Sequence, residues 1–144
     1  MKADFWQLSR DPADKVVAMI AARVLDEGER LLVVAKDDEK RAAIAKALWE
    51  AKPEHFLANG EASADHAERQ PILLGETCEA ANGASHVIFA DGEWRDPHGF
   101  ERAFLLFSDE TLEAARATWR ALDGTDGLER SFFRQEGGKW TKVA

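Results

Sequence analysis

"RLLVVAKDDEKRAAIAKALWEA", residues 30–51, decides the fold. It opens on a short continuous apolar run, "RLLVVAK" (30–36), β-branched in its middle. An apolar run without alternation suits a strand buried on both faces, as in a parallel sheet. A helix follows over 37–51, with acidic residues at its positive end. Its core stripe is expected to be Ile44, Ala47, Leu48 and Ala51. A strand feeding directly into a helix is half of a βαβ unit.

The same alternation continues outward. Upstream, "DPADKVVAMIAARVLDEGE" (11–29) reads as a helix with Asp11 as N-cap and Pro12 at its first position. Val16, Val17, Ile20 and Val24 form its stripe, and Gly28 ends it. "DFWQLS" (4–9) before it reads as the first strand. Downstream, 58–69 reads as a polar surface loop, "PILLGE" (71–76) and "HVIFADG" (86–92) as strands, and "DPHGFE" (96–101) as a turn. "RAFLLFS" (102–108) is a further strand, and "DETLEAARATWRALDG" (109–124) a helix capped by Ser108 or Asp109. "RSFFRQ" and "KWTKV" suggest a terminal hairpin across "EGG" (136–138). Strands alternating with helices predict one α/β domain over residues 1–144, mostly parallel, with helices on both faces.

The formal net charge is −8. That disfavours direct, strong DNA binding, because phosphates need a positive surface. The charge is uneven. Residues 1–113 hold 13 basic and 23 acidic side chains, and residues 114–144 hold 6 and 4. The relatively basic surface is thus expected near the C-terminus. Cys78 is the sole cysteine, so no intrachain disulfide forms and a reducing compartment is favoured. No run approaches the roughly 20 apolar residues of a membrane span, and a cytoplasmic protein is expected.

The chemistry of catalysis is thinly represented. Neither G-x-x-x-x-G-K-[ST] nor G-x-G-x-x-G occurs, and the turn after the first strand, "SRDPADK", lacks glycine. No nucleotide cofactor is therefore expected. His55, His66, His86 and His98 form no H-x₃-H pair and Cys78 has no C-x-x-C partner, so spacing offers no zinc site. "ADGEWRDPHG" gathers Asp91, Glu93, Asp96 and His98. An enzyme using nucleotide or metal at the strand ends, around Asp91 and Asp96, is the alternative class.

Two aromatic constellations stand out instead. In "KALWEAKPEHFLANG" (46–60), Trp49 lies about 100° round the helix from Leu48, and Phe56 and Leu57 follow Pro53. Either these residues staple the loop to the body, or they form an apolar patch for a protein partner. In "LEAARATWRALDG", Arg116, Trp119 and Arg120 share one helical side. Two guanidiniums beside a ring suit a carboxylate next to an apolar side chain. The other reading is a solvated face paired with Glu113.

Taken together, the chain resembles the chi subunit family of bacterial DNA polymerase III holoenzyme. The resemblance runs through "FWQLS", "LDEGERLLVVAKDDEKRAAIAKALW", "WEAKPEHFLANG", "QPILLG", "WRDPHGFERAFLLF" and "AARATWRAL". Ala58 and Asn59 stand where the family commonly has Pro-His, and Leu112 where it has a basic residue. The resemblance implies a Rossmann-like scaffold without nucleotide chemistry and a non-enzymatic role. It implies that Arg116 and Arg120 hold the acidic, Phe-terminated tail of single-stranded-DNA-binding protein, with Trp119 and Leu105 walling the pocket. It also implies that Trp49, Phe56 and Leu57 face the psi subunit or another clamp-loader subunit.

Overall fold

The computed structural model describes residues 1–9, 11–51, 57–136 and 139–144. Its eight strands are β1 (Lys2–Gln7), β2 (Leu31–Val34), β3 (Asn59–Glu61), β4 (Ile72–Gly75), β5 (His86–Phe89), β6 (Arg102–Phe107), β7 (Glu129–Glu136) and β8 (Lys139–Lys142). They form one sheet in the order β3-β4-β2-β5-β6-β1-β7-β8. Every neighbouring pair is parallel except β7 and β8. Among the described residues the α-helices are α1 (Ala13–Asp26), α2 (Asp38–Glu50) and α3 (Leu112–Ala121).

The expected strand at 30–36 is β2, and burial on both faces explains its lack of alternation. Leu31 and Val33 join the core under α1 and α2. Leu32 and Val34 join the opposite core, which α3 covers through Ala115. Helices therefore lie on both faces of a mostly parallel sheet, as the sequence predicts. Val16, Val17, Ile20 and Val24 are buried along α1. Gly28 follows at φ 79°, a backbone that disfavours side chains, and Glu29 N–H returns to the Val24 carbonyl at 3.1 Å.

Three expectations fail for physical reasons. Asp11 does not cap α1. Its carboxylate accepts from Gln135 Nε2 at 2.8 Å, while its own N–H donates to Gln135 Oε1 at 3.1 Å. On α2, Ala47 is half-buried and Ala51 exposed. Arg41 completes the buried stripe with Ile44 and Leu48 instead. Its guanidinium is satisfied by the Ala35 and Lys36 carbonyls at 2.6 and 3.1 Å and by Glu61 at 3.2 Å. Finally, residues 58–69 are not loop throughout. Asn59–Glu61 is the edge strand β3, paired with β4, and Ala67–Arg69 is a turn of 3-10 helix.

Asp37 caps α2, accepting from Glu39 N–H at 3.0 Å. Ser108 begins the segment leading into α3, and its N–H donates to Thr111 Oγ1 at 3.1 Å. The expected terminal hairpin is present as β7 and β8, with Glu136 opposite Lys139. Its Gly137–Gly138 turn lies outside the described residues.

Candidate protein-binding surfaces

Helix α3 carries the arginine constellation. Arg116 and Arg120 are exposed and Trp119 is half-buried. Arg116 Nη1 lies 3.3 Å from Glu113 Oε1. That is the pairing a solvated face would show, but Arg116 is 52% exposed and Glu113 84%, so the contact is weak and readily exchanged. The Arg120 guanidinium has no hydrogen bond or ion pair among the described residues, although its carbonyl accepts from Asp123 N–H at 3.1 Å.

The Trp119 ring is fixed by its surroundings. It meets Phe5 edge-on at 5.2 Å and Phe132 edge-on at 5.7 Å. Arg130 lies over its face, 4.1 Å from the centroid. Arg130 also donates to the Trp119 carbonyl and to Asp123 Oδ1, the latter at 3.0 Å. Spacing could not reveal Arg130, because it arrives from β7, the strand beside β1.

Leu105 is not at this surface. It is fully buried on β6, in register with Phe5, and Phe5 is the residue that touches Trp119. Leu105 therefore supports the site through Phe5 and does not wall it. An apolar hollow does lie nearby, a groove of about 440 Å³ whose lining includes Met1, Trp94, Phe100, Leu122 and Leu128. Leu122 is one helical turn beyond Trp119, and Trp94 stacks on Phe5 at 5.8 Å.

The Trp49 surface divides differently from the sequence expectation. Trp49 is 59% exposed beside the fully buried Leu48. Leu57 is only 3% exposed and packs in the α1–α2 core. It cannot offer its side chain to a partner without unpacking. Leu57 lines a groove of about 930 Å³ between α1 and α2, with Ala18, Met19, Ala22 and Ala47. Trp49 does not line it and sits on the other shoulder of α2 with Ala45. Phe56 lies outside the described residues.

At the strand ends the Asp91 carboxylate is fully engaged. Asp91 is gripped by Arg95 at 2.7 and 2.8 Å and accepts from the Lys36 and Glu93 N–H groups at 3.0 and 3.2 Å. Burial pushes its carboxyl up, but these bonds outweigh burial and hold it below the usual carboxylate range. Asp96 is exposed and accepts from His98 N–H at 3.1 Å. The neighbouring cleft of about 400 Å³ presents Asp11, Asp91 and Glu110 against Lys40, a poor charge balance for phosphate. Among the described residues one mixed cluster, Glu29, His86 and Glu101, brings metal-ligating atoms within 4.8 Å of one another. Its members come from three distant segments, which spacing alone could not unite.

These features define a Rossmann-like α/β scaffold that exposes a tryptophan on α2 and two arginines on α3. The family model described as DNA polymerase III chi subunit, HolC, matches residues 1–127, and the chain belongs to this family. Membership gives it an accessory role in DNA replication. No curated protein matches the chain. Strands β7 and β8 lie beyond the matched residues, and with them Arg130 and Phe132. No helix among the described residues is long and apolar enough to cross a membrane.

Proposed function

We propose that this chain is a non-enzymatic, cytoplasmic adaptor, acting as one domain, that couples single-stranded-DNA-binding protein to the clamp loader. Arg116 takes the terminal carboxylate of the acidic, Phe-ended tail, and Arg120 attracts the tail's aspartates. Trp119 flanks the terminal phenyl ring, which enters the hollow that includes Leu122 and Leu128. Trp49, with Phe56, meets psi or another clamp-loader subunit on the opposite face of the sheet. The observation that carries the tail reading is the placement of two exposed guanidiniums beside a rigidly held tryptophan and an apolar groove.

Charge-assisted bonds at contact range are stronger than the screened repulsion of an acidic protein beyond a Debye length of about 8 Å. The expected affinity for an acidic Phe-ended peptide is micromolar, about −8 kcal/mol, and weakens with salt. Calorimetry with the free-acid peptide and its C-terminal amide, against wild type and Arg116→Ala, tests this. Each change alone should weaken binding at least about tenfold. The two together should cost little more than either, because they remove the same contact. Simple additivity would show that Arg116 does not read the carboxylate.

A further inference from the structure

At the opposite end of the strands from Asp91, three strand starts converge. Strands β2, β5 and β6 are parallel neighbours, with His86 in register with Leu31 on one side and Arg102 on the other. Glu29 precedes β2, His86 opens β5, and Glu101 precedes β6. Their backbones are tied down. Glu29 N–H bonds Val24 O at 3.1 Å, His86 N–H bonds Arg30 O at 3.4 Å, and Glu101 N–H bonds Ser85 O at 2.8 Å.

Proton accounting fixes the histidine tautomer. Ser85 Oγ lies 2.6 Å from Glu29 Oε2 and 2.8 Å from His86 Nδ1. A carboxylate only accepts, so the single hydroxyl proton of Ser85 goes to Glu29. The contact with His86 must then be donated by Nδ1–H, and in the neutral ring the lone pair lies on Nε2. No hydrogen bond reaches Nε2 among the described residues; His86 is 6% exposed, and Nε2 keeps contact with solvent. A metal-binding histidine is typically oriented in this way, its other ring nitrogen donating to a neighbour.

Two neighbouring arginines are committed elsewhere. Arg30 Nη1 donates to the Glu68 and Asn82 carbonyls at 3.0 and 2.9 Å. Arg102 pairs with Asp4 and lies over the Phe104 ring. Glu29 and Glu101 have no ion-pair partner among the described residues. Two carboxylates thus converge on the imidazole ring with no arginine or lysine paired to them among the described residues.

We propose that Glu29, His86 and Glu101 form a site for one divalent transition-metal ion of the zinc type, bound by a ring nitrogen of His86 and one oxygen from each carboxylate. Such an ion takes nitrogen and oxygen donors at about 2.0–2.2 Å, which in tetrahedral geometry sets the donors about 3.4 Å apart. The present separations, within 4.8 Å, close to that range by rotation of the two glutamates, of which Glu101 is exposed and Glu29 half-buried. Three protein ligands leave a fourth position for water. The ion would pin the starts of three adjacent strands and replace repulsion between two carboxylates with attraction.

The test uses the full chain after chelator treatment, titrated with zinc by calorimetry and with cobalt(II) by visible absorption. One equivalent should bind with micromolar or tighter affinity, and zinc should raise the melting temperature. Glu29→Gln and Glu101→Gln should each weaken uptake at least about tenfold, and exposed His98→Ala should leave it unchanged. The two glutamate variants carry the test if His86→Gln, altered at a buried position, fails to fold. Absence of uptake at millimolar zinc, or uptake that persists in the Glu29→Gln/Glu101→Gln double variant, overturns the site.

Discussion

Arg130 and Trp119 form a single locked unit: the guanidinium lies 4.1 Å from the indole centroid and donates to the carbonyl of the same residue. The contact fastens α3 to β7. A partly desolvated cation–π contact is worth about 1–2 kcal/mol, and a net hydrogen bond adds about 1 kcal/mol. Arg130→Ala should therefore lower stability by about 2 kcal/mol in urea unfolding. It should also weaken the acidic Phe-ended peptide although Arg116 is untouched, because Trp119 loses its brace. Unchanged peptide affinity would confine Arg130 to stability.

Trp49 and Leu57 should separate cleanly. Trp49→Ala removes an exposed ring and should change stability by less than about 0.5 kcal/mol. It should weaken capture of a clamp-loader partner by about 2 kcal/mol or more. Leu57→Ala opens a cavity in the α1–α2 core and should cost about 2–5 kcal/mol. Denaturation of both variants decides between the interface and staple readings of Trp49. A large stability loss in Trp49→Ala would support the staple.

Asp91 makes stability depend on acid in a defined direction. Burial works against its charge, but Arg95 and two backbone N–H groups hold its carboxyl below the ordinary range. A carboxylate whose folded value is depressed stabilises the fold above the unfolded value, about 3.9, and that contribution is lost as pH falls through the folded value. Asp91→Asn should cost about 1–3 kcal/mol near neutrality. The gap to wild type should shrink below about pH 4. Urea midpoints at neutral pH and at the lowest pH where both chains stay folded measure it. A constant gap would show that the ionisation of Asp91 is not its source.

Cys78 should be a sluggish nucleophile. Burial pushes its thiol up, Arg95 opposes this, and Asp96 adds to it. Since the thiolate is the reacting form, alkylation by iodoacetamide near neutral pH should be slower than for a free thiol. Asp96→Asn should quicken it by removing the like charge. Mass spectrometry over time reads both rates, and a slower Asp96→Asn would contradict the assignment.

Local pattern carries most of the fold. The unbroken run Leu31–Val34 reports burial on both faces, and the stripe of Val16, Val17, Ile20 and Val24 reports one packed helix face. Asn59–Glu61 escapes such reading, because nothing in Asn-Gly-Glu favours a strand until β4 lies alongside. Asp11 misleads as a cap because Gln135, 124 positions away, takes its carboxylate. The surfaces divide in the same way. The exposure of Trp49 follows from its angle beside Leu48, and Arg116 with Arg120 follows from helical spacing. Leu105 fails because its strand is covered on both faces. Arg130 and the Glu29–His86–Glu101 group depend on strand neighbours far apart in the chain, which composition and periodicity do not encode.

The place of β1 between β6 and β7 has a consequence for biosynthesis. Lys2 is in register with Arg102 on one side and Glu129 on the other. At about 5–20 residues per second, roughly 6–25 s pass between translation of β1 and of its second neighbour. During that interval the apolar pair Phe5 and Trp6 is already made while its place in the sheet is not. Long-range pairing of this kind folds slowly and leaves strand edges open to other chains. The two ends of the polypeptide thus meet at the β1–β7 pairing, and no nascent form short of β7 gives β1 both of its neighbours.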